Sequence, residues 1–301
     1  MATLDTTFLC TTFEIDESSL PFPRLTQEED ILKNEHDFSV LPEPDHRRLD
    51  LCSDLSHVFK FIETQTRNGT NLRKFVGSEF IATATTLSKI ATSISGSDST
   101  LKILATRVKD VIFLHTTSND NANRTQSRLD QNKLKELLKR KENEHENNTK
   151  KCMNVFRGKV TSGTNAIMVF YGADFDFIDD ANNFVDVRDV GECGERWLNE
   201  ESGNWYMEGV LGNISRSYFL TDGATPGLKK IRSIKKEQVA KQARQVWRKE
   251  TCFEQLHSFL KLCRDNLPEN DMNAVYSFET GRFSTIHNYS FVSEEFTKKF
   301  V

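Results

Sequence analysis

Two short stretches place charged side chains where they can do chemistry: Phe170-Tyr171-Gly172-Ala173-Asp174-Phe175-Asp176-Phe177 and Val185-Asp186-Val187-Arg188. On a strand, side chains alternate between faces, so Asp174 and Asp176 share one face while Ala173, Phe175 and Phe177 point to the core. On the second strand Asp186 and Arg188 likewise share a face. Between them, Asp179-Asp180-Ala181-Asn182-Asn183 reads as a turn. If it joins the strands antiparallel, 178 stands opposite 184, which sets Asp176 across from Asp186 and Asp174 across from Arg188. Two carboxylates face to face repel. A divalent cation would turn that repulsion into attraction, and hard carboxylate oxygens suit Mg2+ or Mn2+. Arg188 adds positive charge where a phosphate oxyanion would sit. This is the kit for metal-assisted attack on a phosphodiester or pyrophosphate: oxygen ligands, an activated water and a cation near phosphorus. The plain alternative is the polar outer face of an ordinary acidic hairpin.

A second candidate lies between Lys229 and Lys249, where nine basic residues, Lys235 and Lys236 among them, meet the single acid Glu237, with Trp247 in the same stretch. A basic stripe with an aromatic is the electrostatic footprint of a phosphate-backbone track, and Lys235 and Lys236 are the residues expected to touch RNA. The alternative is a solvated helix whose Ile231, Ile234, Val239 and Val246 pack inward. The seven histidines show no metal-ligand spacing, and neither a nucleophile elbow nor a P-loop is present.

These side chains need elements to hold them. Residues 1–50, acidic and punctuated by Pro21, Pro23, Pro42 and Pro44, read as an extended arm, and 51–301 as the domain. Apolar positions 55, 58, 59 and 62 predict a helix, and a second helical stretch is expected over about 72–94. Residues 101–115 predict two short strands ending in Val111-Ile112-Phe113-Leu114. Residues 129–151, almost wholly polar, read as a solvated face on an exposed helix or insertion. The middle is β-rich, with strands over 167–178, 184–190 and 216–220. Apolar positions 252, 253, 256, 259, 260 and 263 predict an amphipathic helix over 249–267, and a hairpin around Gly281 follows. The fold class expected is a single α+β domain.

Composition narrows the class further. The apolar share is 37% with 22 Phe, enough for a sizeable core. Forty Lys and Arg against 44 Asp and Glu give a formal charge of −4, which excludes a generally basic binder while leaving room for a local basic patch. No apolar run approaches the roughly 18–20 residues of a membrane span. The first residues have neither a basic n-region nor an apolar h-region, so secretion is not expected and the six cysteines read as reduced core fillers.

The Gly-Ala-Asp-Phe-Asp and Val-Asp-Val-Arg strands resemble the G-E-x-D and E-L-K motifs of the DXO-type decapping nuclease family. Other segments follow in that family's order. Pro21-Phe22-Pro23-Arg24 is similar to its F-P-R arm, 104–114 to its L-A-A-S-R-F…L-Y-L hairpin, and Cys152 to Arg157 to G-Y-K-F-E. Trp205-Tyr206-Met207-Glu208 is similar to W-W-A-Q. The resemblance covers roughly residues 20–290 and implies mixed sheets with flanking helices and an acidic pocket between sheets, a PD-(D/E)xK-like nuclease core. It implies a nuclear or cytosolic enzyme that removes defective or non-standard RNA 5′ ends (GpppN caps, NAD caps, triphosphates) with Mg2+ or Mn2+, some members continuing as 5′-to-3′ exonucleases. RNA 5′ ends are the implied partners, and a 5′-3′ exoribonuclease is a further one; oligomeric state is left open.

Carried across, Asp174, Asp176 and Asp186 would hold the metal with the Val187 carbonyl, Arg188 would steady the phosphate oxygens, and Glu208 would position water or ligand. The chain also departs from the pattern. Asp replaces Glu at 174 and 186, Arg188 replaces Lys, and Glu208 replaces Gln. Arg157 replaces Glu beside the expected pocket, where it would neutralise the aspartates or touch substrate, and the W-R-G arginine falls on Ala84. Arg188 cannot accept a proton. The alternative is therefore a catalytically silent paralogue that binds RNA 5′ ends or regulates.

Overall fold

The run Val111-Ile112-Phe113-Leu114 has no polar alternate, the pattern of a strand covered on both faces, and all four side chains are buried in the computed structural model. The structure describes residues 2–14, 24–25, 33–37, 55–93, 101–116, 125–139, 152–188, 197–243, 246–286 and 290–301.

The strands are β1 (Ala2–Glu14), β2 (Glu35–His36), β3 (Phe80–Thr83), β4 (Lys102–Val108), β5 (Val111–Thr116), β6 (Cys152–Ser162) and β7 (Asn165–Asp174). They continue with β8 (Phe177–Ile178), β9 (Phe184–Val187), β10 (Ile214–Asp222), β11 (Lys229–Lys235), β12 (Asn273–Ser277) and β13 (Arg282–Thr285). The helices are α1 (Leu55–Gln65), α2 (Leu72–Val76), α3 (Ala84–Thr92), α4 (Thr125–Leu138), α5 (Ser202–Leu211), α6 (Lys236–Gln242), α7 (Lys249–Asn266) and α8 (Glu294–Lys298). Eight strands form one mixed sheet in the order β1-β6-β7-β3-β5-β4-β12-β13, and five form a second in the order β2-β11-β10-β9-β8. This is the α+β class expected.

The larger sheet is covered on both faces. Leu87 and Ile90 of α3, Met207 and Leu211 of α5, and Phe253, Leu256 and Leu260 of α7 share one core with β3, β5 and β7. Leu55, Val58 and Ile62 of α1, Val76 of α2 and Phe296 of α8 fill the other side. The smaller sheet packs Val185, Val187, Tyr218 and Ile231 against Leu134 and Leu138 of α4. Its opposite face meets Trp197, Trp205, Ile234 and Val239. No helix among the described residues is long and apolar enough to cross a membrane.

Most elements follow the sequence pattern. The β4–β5 hairpin turns at Lys109 and Asp110, both with positive φ (49° and 63°), the left-handed pair that a two-residue turn demands. The helix over 249–266 and the 273–285 hairpin form as the spacing predicts. Cys152, Cys252 and Cys263 are buried free thiols.

Three segments differ. The stretch 72–94 is two helices with a strand between. Gly77, at φ 61°, ends α2, the Thr83 hydroxyl caps α3 by accepting from the Thr86 N–H, and β3 lies parallel to both β5 and β7. All four β3 residues are buried, so no two-residue alternation marks it. The stretch 229–249 is likewise a strand followed by helices, not one basic helical stripe; Ile231, Ile234 and Val239 are buried as expected, but Val246 is exposed. Finally, α4 is not merely a solvated face, because Leu134 and Leu138, four apart, are buried against the smaller sheet. Residues 140–151, and the four prolines of the arm, lie outside the described residues; β1 pairs with β6 at the sheet edge.

One close approach tests this packing. A Cβ at Gly172 would lie 2.3 Å from Met153 Sδ and 2.8 Å from Val58 Cγ2, where β7 passes under α1. Gly172→Val is expected to lower stability by about 1–3 kcal/mol, read as a lower urea midpoint at unchanged slope.

Candidate functional site

The chain changes sheets within two residues. β7 ends at Asp174 in the larger sheet, and after Phe175-Asp176 the backbone pairs again as β8 in the smaller one. There the expected register holds: Ile178 faces Phe184, Phe177 faces Val185, and the Asp176 N–H donates to the Val185 carbonyl at 3.0 Å. Upstream it does not. Asp174 is paired with Met153 on β6, so it stands across from neither Arg188 nor Asp186.

Along β9, Val185 and Val187 face α4, which turns Asp186 to the other side, toward α5. The strand direction carries on to Arg188, whose N–H donates to the Tyr218 carbonyl at 2.7 Å. On α5, Trp205 and Glu208 are three residues apart and share a face. The Arg188 guanidinium lies 5.9 Å from the Trp205 ring centroid and closes the arrangement. Its Nε donates to Asp186 Oδ2 at 2.6 Å, and its Nη1 donates to Glu208 Oε2. Glu208 Oε1 accepts from Asn204 Nδ2 at 3.3 Å, and Asn204 Oδ1 accepts from the Ser88 hydroxyl at 2.5 Å.

The three charged side chains are 9%, 17% and 12% exposed for Asp186, Arg188 and Glu208. Burial opposes the Arg188 charge, but the carboxylates of Asp186 and Glu208 outweigh it and hold the pKa above the ordinary guanidinium value. Burial pushes the Asp186 carboxyl up, Arg188 and the neighbouring Ser217 hydroxyl pull it back, and Asp176 adds repulsion. Asp186 Oδ1 is buried with no hydrogen-bond partner among the described residues.

Asp176 faces a different cation. Its Oδ1 lies 2.7 Å from Lys135 Nζ on α4, and its Oδ2 accepts from the Val187 N–H at 2.7 Å. The Val187 carbonyl accepts from Gln131 Nε2 at 2.6 Å. Lys135 and Gln131 were hidden in the polar stretch; the signal that could have found them is the Leu134–Leu138 pair that packs α4 down.

The expected metal donors Asp174, Asp176, Asp186 and the Val187 carbonyl are each engaged differently, although Asp176 and Asp186 remain near enough to repel one another. Asp174 is in the other sheet, Asp176 and Asp186 are each turned to a cation, and the carbonyl is taken by an amide. Among the described residues no three His, Cys, Asp or Glu side chains are grouped to hold a metal ion. As arranged, this donor set does not fit a divalent ion. Arg157 is also elsewhere. Its Nε and Nη2 donate to the carbonyls of Val76 and Phe75 at 2.8 and 2.7 Å, satisfying the C-terminal end of α2 rather than neutralising aspartates. Lys235 ends β11 and Lys236 opens α6, beside α5 but not in the Arg188 cluster.

Two mixed sheets with flanking helices make up an α+β fold that is shared with Rai1 and Dxo1. The solved structures it is similar to are S. pombe Rai1 (11% identity, TM-score 0.67, 95% of each chain covered) and Candida albicans Rai1 in complex with pU5-Mn2+ (10%, TM-score 0.67, 99% of this chain and 95% of that one). K. lactis Dxo1 in complex with manganese is a third, at 13% identity and TM-score 0.57, over 96% and 93% of the two chains. No family model matches the sequence, and sequence comparison with curated proteins finds no match. The resemblance read from the motifs thus holds for the fold.

Removing Arg188 would leave two buried carboxylates uncompensated. Arg188→Leu is expected to cost about 3–5 kcal/mol in urea unfolding, and Glu208→Leu on top of it to recover part of that loss. Arg157→Leu removes a hydrogen bond from each of two helix-end carbonyls and is expected to cost about 1–3 kcal/mol, read as a lower urea midpoint.

Proposed function

We propose that the protein binds RNA 5′ ends on a decapping-nuclease fold in which Arg188, rather than a divalent ion, pairs with the Asp186 and Glu208 carboxylates and offsets one of their two charges, so that ends are held and not cleaved. The observation that carries this reading is the guanidinium engaged with Asp186 and Glu208 at once. Its two ends match the two departures from the family motifs: Arg for Lys at 188, and Glu for Gln at 208, are partners of one another. A guanidinium stays protonated and cannot take a proton from water, and metal-assisted hydrolysis needs open positions on an ion with its own oxygen ligands. That the fold handles RNA ends is supported by its likeness to the Candida albicans Rai1 complex with pU5-Mn2+ and to S. pombe Rai1 in complex with 3′-FADP.

A second reading is a hydrolase that uses Mg2+ or Mn2+ to remove GpppN, NAD or triphosphate ends. It is favoured by the buried, unpartnered Asp186 Oδ1, an oxygen that an ion would satisfy, and it requires Arg188 to release both carboxylates.

Incubation with GpppN-, NAD- and triphosphate-ended RNAs under Mg2+ and Mn2+, with affinity measured on the same RNAs, separates the two. Binding without product is expected, together with no Mn2+-dependent rise in melting temperature. Product that is lost in Asp176→Asn plus Asp186→Asn establishes the hydrolase instead, and neither binding nor product defeats both.

A further inference from the structure

The basic residues at the end of β11 gain a partner surface in the fold that their sequence does not announce. Lys235 stands directly across from Arg216 in the antiparallel β10–β11 pair, a like-charge pairing that is unfavourable by itself. Lys236 follows, its stem lying over Gly209 of α5, the residue after Glu208; a Cβ there would be 3.5 Å from Lys236 Cβ. The three cations line a cavity of about 350 Å3 with Asn182, Asn213 and Ser215.

In the wall these three cations outnumber the two carboxylates, Asp179 and Glu237. Among the described residues, neither Arg216, Lys235 nor Lys236 is in an ion pair. Both oxygens of Asp179 accept from Asn183, at 2.8 and 3.1 Å, which ties the carboxylate to its own turn while it keeps its charge; Glu237 is exposed. Arg24 Nη1 reaches the Asn182 side-chain oxygen at 3.1 Å and adds another cation to that side.

The wall also includes Phe184, half-buried, the first residue of β9. Asp186 follows two residues along the same strand, about 7 Å further at the usual rise. Cations for phosphate, amides and a hydroxyl for sugar or base edges, and an aromatic face beside them are the chemistry of single-strand RNA binding. We propose that this cavity holds a backbone phosphate of single-stranded RNA, downstream of the 5′ end that the Arg188 cluster faces. This rests on the reading that the protein binds RNA ends and gives that reading a direction for the strand.

The test uses the full chain with a 5′-phosphorylated RNA decamer, the matching 5′-mononucleotide and inorganic phosphate. In Arg216→Gln plus Lys235→Gln, decamer affinity is expected to fall about tenfold and the log–log salt slope to flatten by roughly 0.7, one single-strand phosphate's worth, while mononucleotide affinity is unchanged. On the unaltered protein, the decamer should protect Lys235 and Lys236 from acetylation, read by mass spectrometry, and the mononucleotide should not; this readout stands even where the double variant folds poorly. Equal decamer binding by both proteins, or unprotected lysines under bound decamer, overturns the cavity assignment and leaves end binding standing. Equal protection by inorganic phosphate overturns it in favour of a free-phosphate site. A protein that binds neither RNA loses end binding and the cavity assignment together.

Discussion

A guanidinium taken out of water must be met by negative charge from more than one side, and Arg188 meets that requirement with Asp186 from its own strand and Glu208 from α5. The site's remaining features follow from this. The cluster carries two carboxylates and one cation, so it is drawn together rather than held open. Trp205 covers the guanidinium, Asn204 takes the free oxygen of Glu208, and Ser88 fixes Asn204. A compact cation such as an ammonium, on a shorter stem, would not span the same two partners in a fixed planar fork. Arginine here does what neither lysine nor a loosely placed water would do.

The second determinant is the sheet change at Phe175-Asp176. A continuous hairpin would have put Asp174 and Asp176 side by side on one face. The chain instead leaves the larger sheet at Asp174 and re-pairs at Phe177, and Asp176 becomes a fastener between β9 and α4 through the Val187 N–H and Lys135. The acidic residues that look like one constellation in sequence thus take different partners in the fold, Lys135 for Asp176 and Arg188 for Asp186.

What the sequence made legible was local. The turn length matched the β8–β9 register, the two strands over 101–115 were readable from their apolar runs, and the 3.6-residue period of α7 was unambiguous. The motif order was enough to anticipate a fold shared at only 8–13% identity. The rest depended on distant partners. β3 has no polar alternate because both its faces are covered; α4 hides two inward leucines among lysines and glutamates. Arg157 aligns with a motif position, yet its direction is set by the end of α2, a feature some eighty residues earlier in the chain. The pairing of Arg188 with Glu208 was readable as two separate departures, and only the placement of α5 over β9 reveals them as one change.

α5 has a further consequence. Met207 and Leu211 belong to the core under the larger sheet, while Trp205 belongs to the core of the smaller one, and the Tyr171 hydroxyl of β7 donates to the Leu211 carbonyl at 3.1 Å. A helix owned by both cores cannot loosen from one and remain seated on the other. The two sheets are thereby tied through one helix, so that opening either of them has to disturb the packing of the other.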